Sequence, residues 1–402
     1  MIQLLTIICI TLFVSLAIFE YIQFSTQILT LREELNHEIE DDPHGLMCNI
    51  DSCFDYSKCN TENDSVTEIY IYPDNAGYEW LLRKIPHDEY KKIHDMFQQH
   101  ITIPLQNQKV RGVHVTTDPS KACLFLVPGL CYNGNRCDMW EGLIPSRLRA
   151  LPYWNTYGRN HVIFDHDDSP STKYGALDAI IVRTAAHGAL FRHGFDVQML
   201  LYGNVNLRNH WSSSSITSAH DFMQRPLLLS FKGSTSNPLR AKLYHVVQQR
   251  NRPNTKDVKM LLKGYTSNKE YHANDYNTML LQTRFALVPR GIGTHAYRLM
   301  EAISAGCIPI LIGDGYVLPT FDNPELDWRS FSFKFAESEM DQIEPFLRGL
   351  DETLIRKMHD NVRDVYPILE RGTHLVEGIP IILERIRNRR MGHSFLVSNS
   401  TA

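Results

Sequence analysis

From residue 68 onward the chain alternates short runs of β-branched and aromatic residues with longer stretches of helical period. That alternation narrows the fold to a mostly parallel sheet with helices on its faces. A strand is predicted over 68–72, closed by Pro73, then a helix over 88–100, a strand over 122–127, a helix over 145–154 and a strand over 161–164. The run Trp211-Ser212-Ser213-Ser214-Ser215 breaks the pattern with a short polar stretch of linker composition. Alternation then resumes with a strand over 226–231, a turn at 233–237, a helix over 239–249, strands over 258–262, 285–288 and 307–312, and three amphipathic helices between 339 and 390. At 402 residues the chain exceeds the ~250–300 at which a single core stops growing. The expectation is an α/β protein of two Rossmann-like lobes, 48–210 and 211–402, with a cleft between them.

Ahead of this body, residues 2–19 form an uncharged apolar run of 18 residues, nearly enough helix to cross a ~30 Å hydrocarbon core. It reads as a transmembrane signal anchor over 1–20 or as a signal peptide, and Ser15-Leu16-Ala17 is the one hint of a cleavage site. Residues 21–47 are polar and read as a stem. No Lys or Arg precedes the run, so orientation has no charge signal. The net charge of -4 argues against a nucleic-acid partner. Of the eight cysteines, Cys48, Cys53 and Cys59 cluster after the stem and Cys123, Cys131, Cys137 and Cys307 follow. Such spacings suit disulfides in an oxidising compartment better than a zinc site, for which the Cys-x2-Cys knuckle is missing. Sequons at Asn63 and Asn399 agree with a lumenal, glycosylated body.

Three local patterns carry chemistry. In the stretch from Arg284 to Ala302 a strand runs into a glycine-containing loop that opens a helix. A helix start offers free N–H groups to an anion, and Gly291 and Gly293 let backbone approach it closely. Arg290 adds a planar donor for two phosphate oxygens, Arg298 can assist from the helix, and His295 lies in the same loop. Glu301, a turn further in, can accept both ribose hydroxyls of a nucleotide. The plainer alternative is a strand–helix turn with a surface ion pair between Arg298 and Glu301. A second turn, Lys232-Gly233-Ser234, leads into the helix carrying Arg240 and also suits a phosphate, or is an ordinary turn with a solvated lysine. The third pattern, Asp165-His166-Asp167-Asp168, follows a strand, at the sheet end where ligands of open α/β folds collect. It reads as an Asp-x-Asp cation site, as a solvated acidic loop, or as the source of a general base that deprotonates an acceptor hydroxyl. Because the Arg290 loop already supplies positive charge, the base reading, on Asp165, His166 or Asp167, is preferred and no metal is required.

These residues do not stand alone. Cys48-(4)-Cys53-Phe54-Asp55-Tyr56-(2)-Cys59 and Ile69-Tyr70-Ile71-Tyr72-Pro73 resemble the start of the exostosin domain. Residues 117–125, Gly158-Arg159-Asn160-His161 and Phe231-Lys232-Gly233 resemble its middle. Val288-Pro289-Arg290-Gly291, Arg298-Leu299-Met300-Glu301-Ala302 and Gly306-Cys307-Ile308-Pro309 are similar to its donor-binding core. The resemblance covers about residues 48–390 and implies a GT-B fold, with the acceptor-side lobe first and the nucleotide-sugar lobe second. It further implies a single-pass type II protein of endoplasmic reticulum and Golgi membranes, with inverting transfer from a UDP-sugar and no cofactor. The nearest members in kind, the animal heparan sulfate polymerases, imply UDP-glucuronic acid as donor and the N-acetylglucosamine end of a glycosaminoglycan as acceptor. Those polymerases carry a second transferase domain after this one, which this chain is not expected to carry. The expectation is therefore a hetero-oligomer with an exostosin relative, its interface on the stem or on C-terminal residues such as 379–386, whose apolar side chains read first as core, or else a non-catalytic subunit that positions such a partner. The family's cysteine pattern pairs Cys48 with Cys53 and Cys59 with Cys123. Cys131 and Cys137 are then left for each other, and Cys307 is a buried free thiol.

Overall fold

The computed structural model describes residues 48–59, 66–73, 95, 97–107, 110–132, 144–155, 157–166, 178–208, 222–250 and 256–390. The expected anchor and stem, the sequons at Asn63 and Asn399, the linker at 211–215, Asp167 and the Cys131–Cys137 pairing lie outside the residues or side chains described. Among the described residues no helix is long and apolar enough to cross a membrane.

The chain builds two parallel sheets. The first contains β1 (Thr67–Ile71), β2 (Val113–Thr116), β3 (Leu124–Tyr132), β4 (His161–His166), β5 (Ile180–Arg183) and β6 (Val197–Gln198), in the order β2-β1-β3-β4-β5-β6. The second contains β7 (Leu227–Gly233), β8 (Val258–Leu262), β9 (Thr283–Pro289), β10 (Ile308–Ile312) and β11 (Phe333–Phe335), ordered β11-β10-β9-β7-β8. Every strand pair among the described residues is parallel, and β4 and β10 are buried along their whole length, as sheets covered on both faces require. The described helices are α1 (Ile103–Gln106), α2 (Ile144–Arg149), α3 (Pro238–Arg250), α4 (Asn268–Ala273), α5 (Tyr276–Leu281), α6 (Arg298–Ser304), α7 (Ile343–Arg348), α8 (Glu352–Arg371) and α9 (Gly378–Arg390). Local chemistry starts several of them. Asp275 caps α5 by accepting from Thr278 N–H at 2.7 Å, and Asp351 caps α8 by accepting from Thr353 and Leu354.

Three expectations need correction. The helix expected over 145–154 ends at Arg149, and Trp154 folds back against His161, 4.7 Å between ring centres. The strand expected over 161–164 runs on through His166, because Asp165 and His166 pair with Cys131 and Tyr132 of β3 beyond a register shift. The first two residues of the acidic pattern are thus strand, not turn.

The largest departure is α9. Ile379, Ile382, Leu383 and Ile386 are at most 4% exposed and join the core of the first sheet, with Phe164, Val182, Phe195 and Val197. A Cβ on Gly378 would lie 2.7 Å from a Val182 methyl, so only glycine permits this approach. Arg385 fastens the helix by donating to the carbonyls of Phe195 and Asp196 and pairing with Asp322 at 2.6 Å. Residues 375–386 therefore belong with the first core, not with a lobe running from 211 to 402, and 379–386 are core rather than interface. Four such side chains contribute on the order of 6–12 kcal/mol of burial.

Candidate functional site

Strands β7 and β9 are neighbours, so the turns that follow them, one into α3 and one into α6, open on the same end of the second sheet. Between these turns lies a cavity of about 580 Å³. It brings together Lys232, Gly233 and Arg240 from the first turn and Gly291, His295, Arg298 and Glu301 from the second, residues up to 69 positions apart in sequence. Lys263 and the rings of Tyr271 and Tyr276 complete the wall. Lys232, Arg240, Lys263 and Arg298 face a single carboxylate there, so the cavity favours an anion.

Each side chain has a traceable support. The Arg298 guanidinium lies over the Phe231 ring at 4.3 Å and donates to the Lys232 carbonyl. Gly233 makes room for it, since a Cβ there would sit 2.8 Å from Arg298 Nη2. Lys232 Nζ rests on the Tyr271 ring at 4.6 Å and donates to the Asn274 carbonyl at 2.6 Å. Arg240 donates to the carbonyls of Arg290 and Ser234 at 3.2 and 3.3 Å, and Asn237 to that of Gly291 at 2.9 Å, so helix α3 fixes the shape of both turns. Glu301, 5% exposed, accepts from Asn204 N–H at 3.1 Å and from the Tyr276 hydroxyl at 2.5 Å. Burial, and then the neighbouring Glu301 carboxylate, raise the Tyr276 pKa, while Arg298 opposes them.

Arg290 stands apart. Its guanidinium pairs with Glu337 and its stem packs on Gly313, so it does not line the cavity. The acidic pattern is also divided. Asp165 forms a buried ion pair with Arg183 at 3.6 Å across β4 and β5, which leaves its charge answered within the sheet. His166 is 5% exposed, and burial pulls its pKa down to about 4. Its ring stacks on Tyr202 at 5.5 Å, and Tyr202 meets the cavity residue Tyr297 at 5.8 Å, so two rings separate His166 from the cavity.

Sequence reasoning missed Tyr276, Tyr271, Asn204 and Lys263. Only Tyr276 left a trace, as the first residue after an Asp cap. The Asn204 contact is made by backbone and spans 97 residues, which no side-chain pattern records. The disulfides form as the family pattern implied, Cys48–Cys53 and Cys59–Cys123 with Cα separations of 5.5 and 4.3 Å, and Cys307 is a buried free thiol.

The fly Drosophila melanogaster has a protein, exostosin-1, that is 28% identical to this chain over 325 residues, covering 75% of the chain and 40% of the fly protein. The exostosin-1 homolog of Caenorhabditis elegans is 27% identical over 381 residues, covering 85% of the chain and 91% of the worm protein. Exostosin-1a of Danio rerio is 24% identical over 400 residues, and half of that protein is spanned. A crystal structure of Anabaena HepE in complex with UDP aligns with 79% of the chain and 99% of its own at 10% identity, with a TM-score of 0.38. The exostosin GT47 domain matches residues 63–350, well over half of the sequence, and the chain therefore belongs to the exostosin family of glycosyltransferases.

Proposed function

We propose that the cavity binds a UDP-sugar and that the chain transfers its sugar, with inversion, to a growing glycosaminoglycan, within a GT-B arrangement of the two sheets. The observation that carries this reading is the pairing of four cations with one buried, doubly bonded carboxylate in a single cavity. Arg298 and Lys232 meet the diphosphate, and a charged, planar or ammonium donor there stabilises the negative charge that grows on departing UDP. Glu301 takes the ribose hydroxyls. In this reading side chains alone supply that stabilisation and no metal is needed. Asp167, next after His166 at the end of β4, is the proposed base that takes the acceptor hydroxyl proton as the new glycosidic bond forms.

The family supports glucuronic acid as the sugar and an N-acetylglucosamine end as the acceptor. Two disulfides support a lumenal body in the secretory pathway, carried on a type II anchor in residues 1–20. A partner exostosin would supply the alternating sugar. The test is to titrate purified protein with UDP and to measure transfer from UDP-glucuronic acid to an N-acetylglucosamine-ended oligosaccharide, with and without EDTA. Saturable UDP binding and EDTA-resistant transfer are expected. Absence of UDP binding refutes the site, and EDTA-sensitive transfer restored by Mn²⁺ refutes the metal-free chemistry.

A further inference from the structure

A buried histidine nitrogen in the cavity wall is left without a partner among the described residues. His295 is 2% exposed and lines the cavity, yet its Nε2 makes no hydrogen bond among the described residues. The ring is held in place from behind. It lies against Tyr316, with 4.1 Å between ring centres, and the Val317 backbone favours a proton on the ring. We assign that proton to Nδ1, which leaves Nε2 of the neutral imidazole with a lone pair. Burial pulls the His295 pKa down to about 3, which keeps the ring neutral across the working pH range. Interiors seldom leave a buried acceptor without a donor, and such a group in a cavity wall marks a place where a ligand supplies one.

The surroundings indicate which part of a ligand that is. The adjacent Thr294 donates to the Ala186 carbonyl at 2.7 Å, His187 bridges to Tyr316, and Gly188 N–H donates to the Gly315 carbonyl at 2.9 Å. His295 thus stands where the second-sheet loop meets the first sheet. Glu301 and Tyr276 occupy a different part of the wall, tied to Asn204. The cations that suit the diphosphate, Arg298 and Lys232, are tied to the β7 turn. The group left for His295 to meet is a neutral donor, and a sugar hydroxyl is the neutral donor that a UDP-sugar carries beyond its nucleotide.

We propose that His295 Nε2 accepts a hydrogen bond from one hydroxyl of the donor sugar and so reads the sugar rather than the nucleotide. This rests on the reading of the cavity as a UDP-sugar site. The experiment compares dissociation constants for UDP and UDP-glucuronic acid, by calorimetry, in the parent protein, His295→Leu and His295→Gln. In His295→Leu the ratio of the two constants should shift against the sugar roughly three- to tenfold, the worth of one neutral hydrogen bond, with UDP itself unchanged. His295→Gln, whose carbonyl can accept, should recover most of that loss. The parent protein alone gives a second readout: among UDP-sugars each lacking one hydroxyl, a single position should show the same loss, and that loss should vanish in His295→Leu. Equal weakening of UDP and UDP-sugar in the Leu variant means that His295 only shapes the loop and overturns the proposal. An unchanged ratio overturns it too, by leaving a trapped water as the partner of Nε2. If the parent binds no UDP, the proposed function falls, a result that the ratio in a UDP-binding protein cannot imitate.

Discussion

Replacing Glu301 with Gln keeps the shape of the side chain and removes its charge, which makes it the sharpest probe of the nucleotide grip. In the folded protein one carboxylate oxygen takes the Asn204 N–H at 3.1 Å and the other the Tyr276 hydroxyl at 2.5 Å. An amide can keep both contacts, with its oxygen toward Asn204 and its NH₂ donating to a Tyr276 hydroxyl that rotates to accept. What is lost is charge assistance, the difference between about 1 kcal/mol for a neutral hydrogen bond and about 1.5–3 for one to a charged group. The fold should therefore weaken by only about 1–2 kcal/mol, a few degrees of Tm in a protein of this size. The ribose hydroxyls lose their charged acceptor in the same way, so UDP affinity should fall roughly five- to thirtyfold. Pyrophosphate, which has no ribose, should bind as before. Calorimetric titration with both ligands, beside a thermal melt of each protein, makes the measurement. Equal weakening of UDP and pyrophosphate would show that Glu301 shapes the cavity and does not hold the ribose.

Arg298→Ala should lower UDP affinity at least tenfold by removing a charge-assisted phosphate contact, whereas Arg290→Ala, which breaks only its pair with Glu337, should change it less than threefold; the reverse order in a binding titration would restore Arg290 to the site. Reduction of Cys59–Cys123, which closes 64 residues, should cost about 4 kcal/mol in urea unfolding, against about 2 for Cys48–Cys53, which closes 5. Burial holds His161 and His166 near pKa 4 and His295 near 3, so below the ordinary value of 6.5 the unfolded chain takes up protons that the native state refuses. Stability from these groups is complete above about pH 6.5 and is lost as pH falls toward 4, at up to about 1.4 kcal/mol per histidine per pH unit, which urea midpoints at pH 7.5, 6 and 5 will show. Gly378→Ala should cost about 1–3 kcal/mol by driving a methyl into Val182 while leaving UDP affinity intact, and a loss of UDP binding at full stability would contradict the placement of α9.

What was legible in the sequence is what local pattern encodes. Alternating apolar runs announced both parallel sheets, and each glycine turn, after β7 and after β9, stood out as able to face a phosphate, but only the adjacency of β7 and β9 in the folded sheet joins the two turns at one cavity. The spacing of Arg298 and Glu301 placed both on the first turns of α6. What failed was long-range pairing. Nothing near Arg290 says that Glu337, 47 residues on, takes its guanidinium. Nothing near Asp165 says that Arg183 answers its charge, so a strand's polar end looked like an open acidic turn. Helix α9 showed its apolar face plainly, but periodicity names a face without naming the surface that covers it.

The return of α9 to the first sheet also sets an order of events during synthesis. Val182 and its strand neighbours leave the ribosome about 200 residues before Leu383 exists. At roughly 5–20 residues per second, the first sheet waits some 10–40 s with an uncovered apolar face. During that interval the nascent chain presents a surface for chaperones and a hazard of wrong pairing. A stop codon anywhere before residue 379 makes the wait permanent, so short C-terminal truncations, far from the cavity in sequence, should be cleared from the cell as folding failures rather than persist as inactive enzyme.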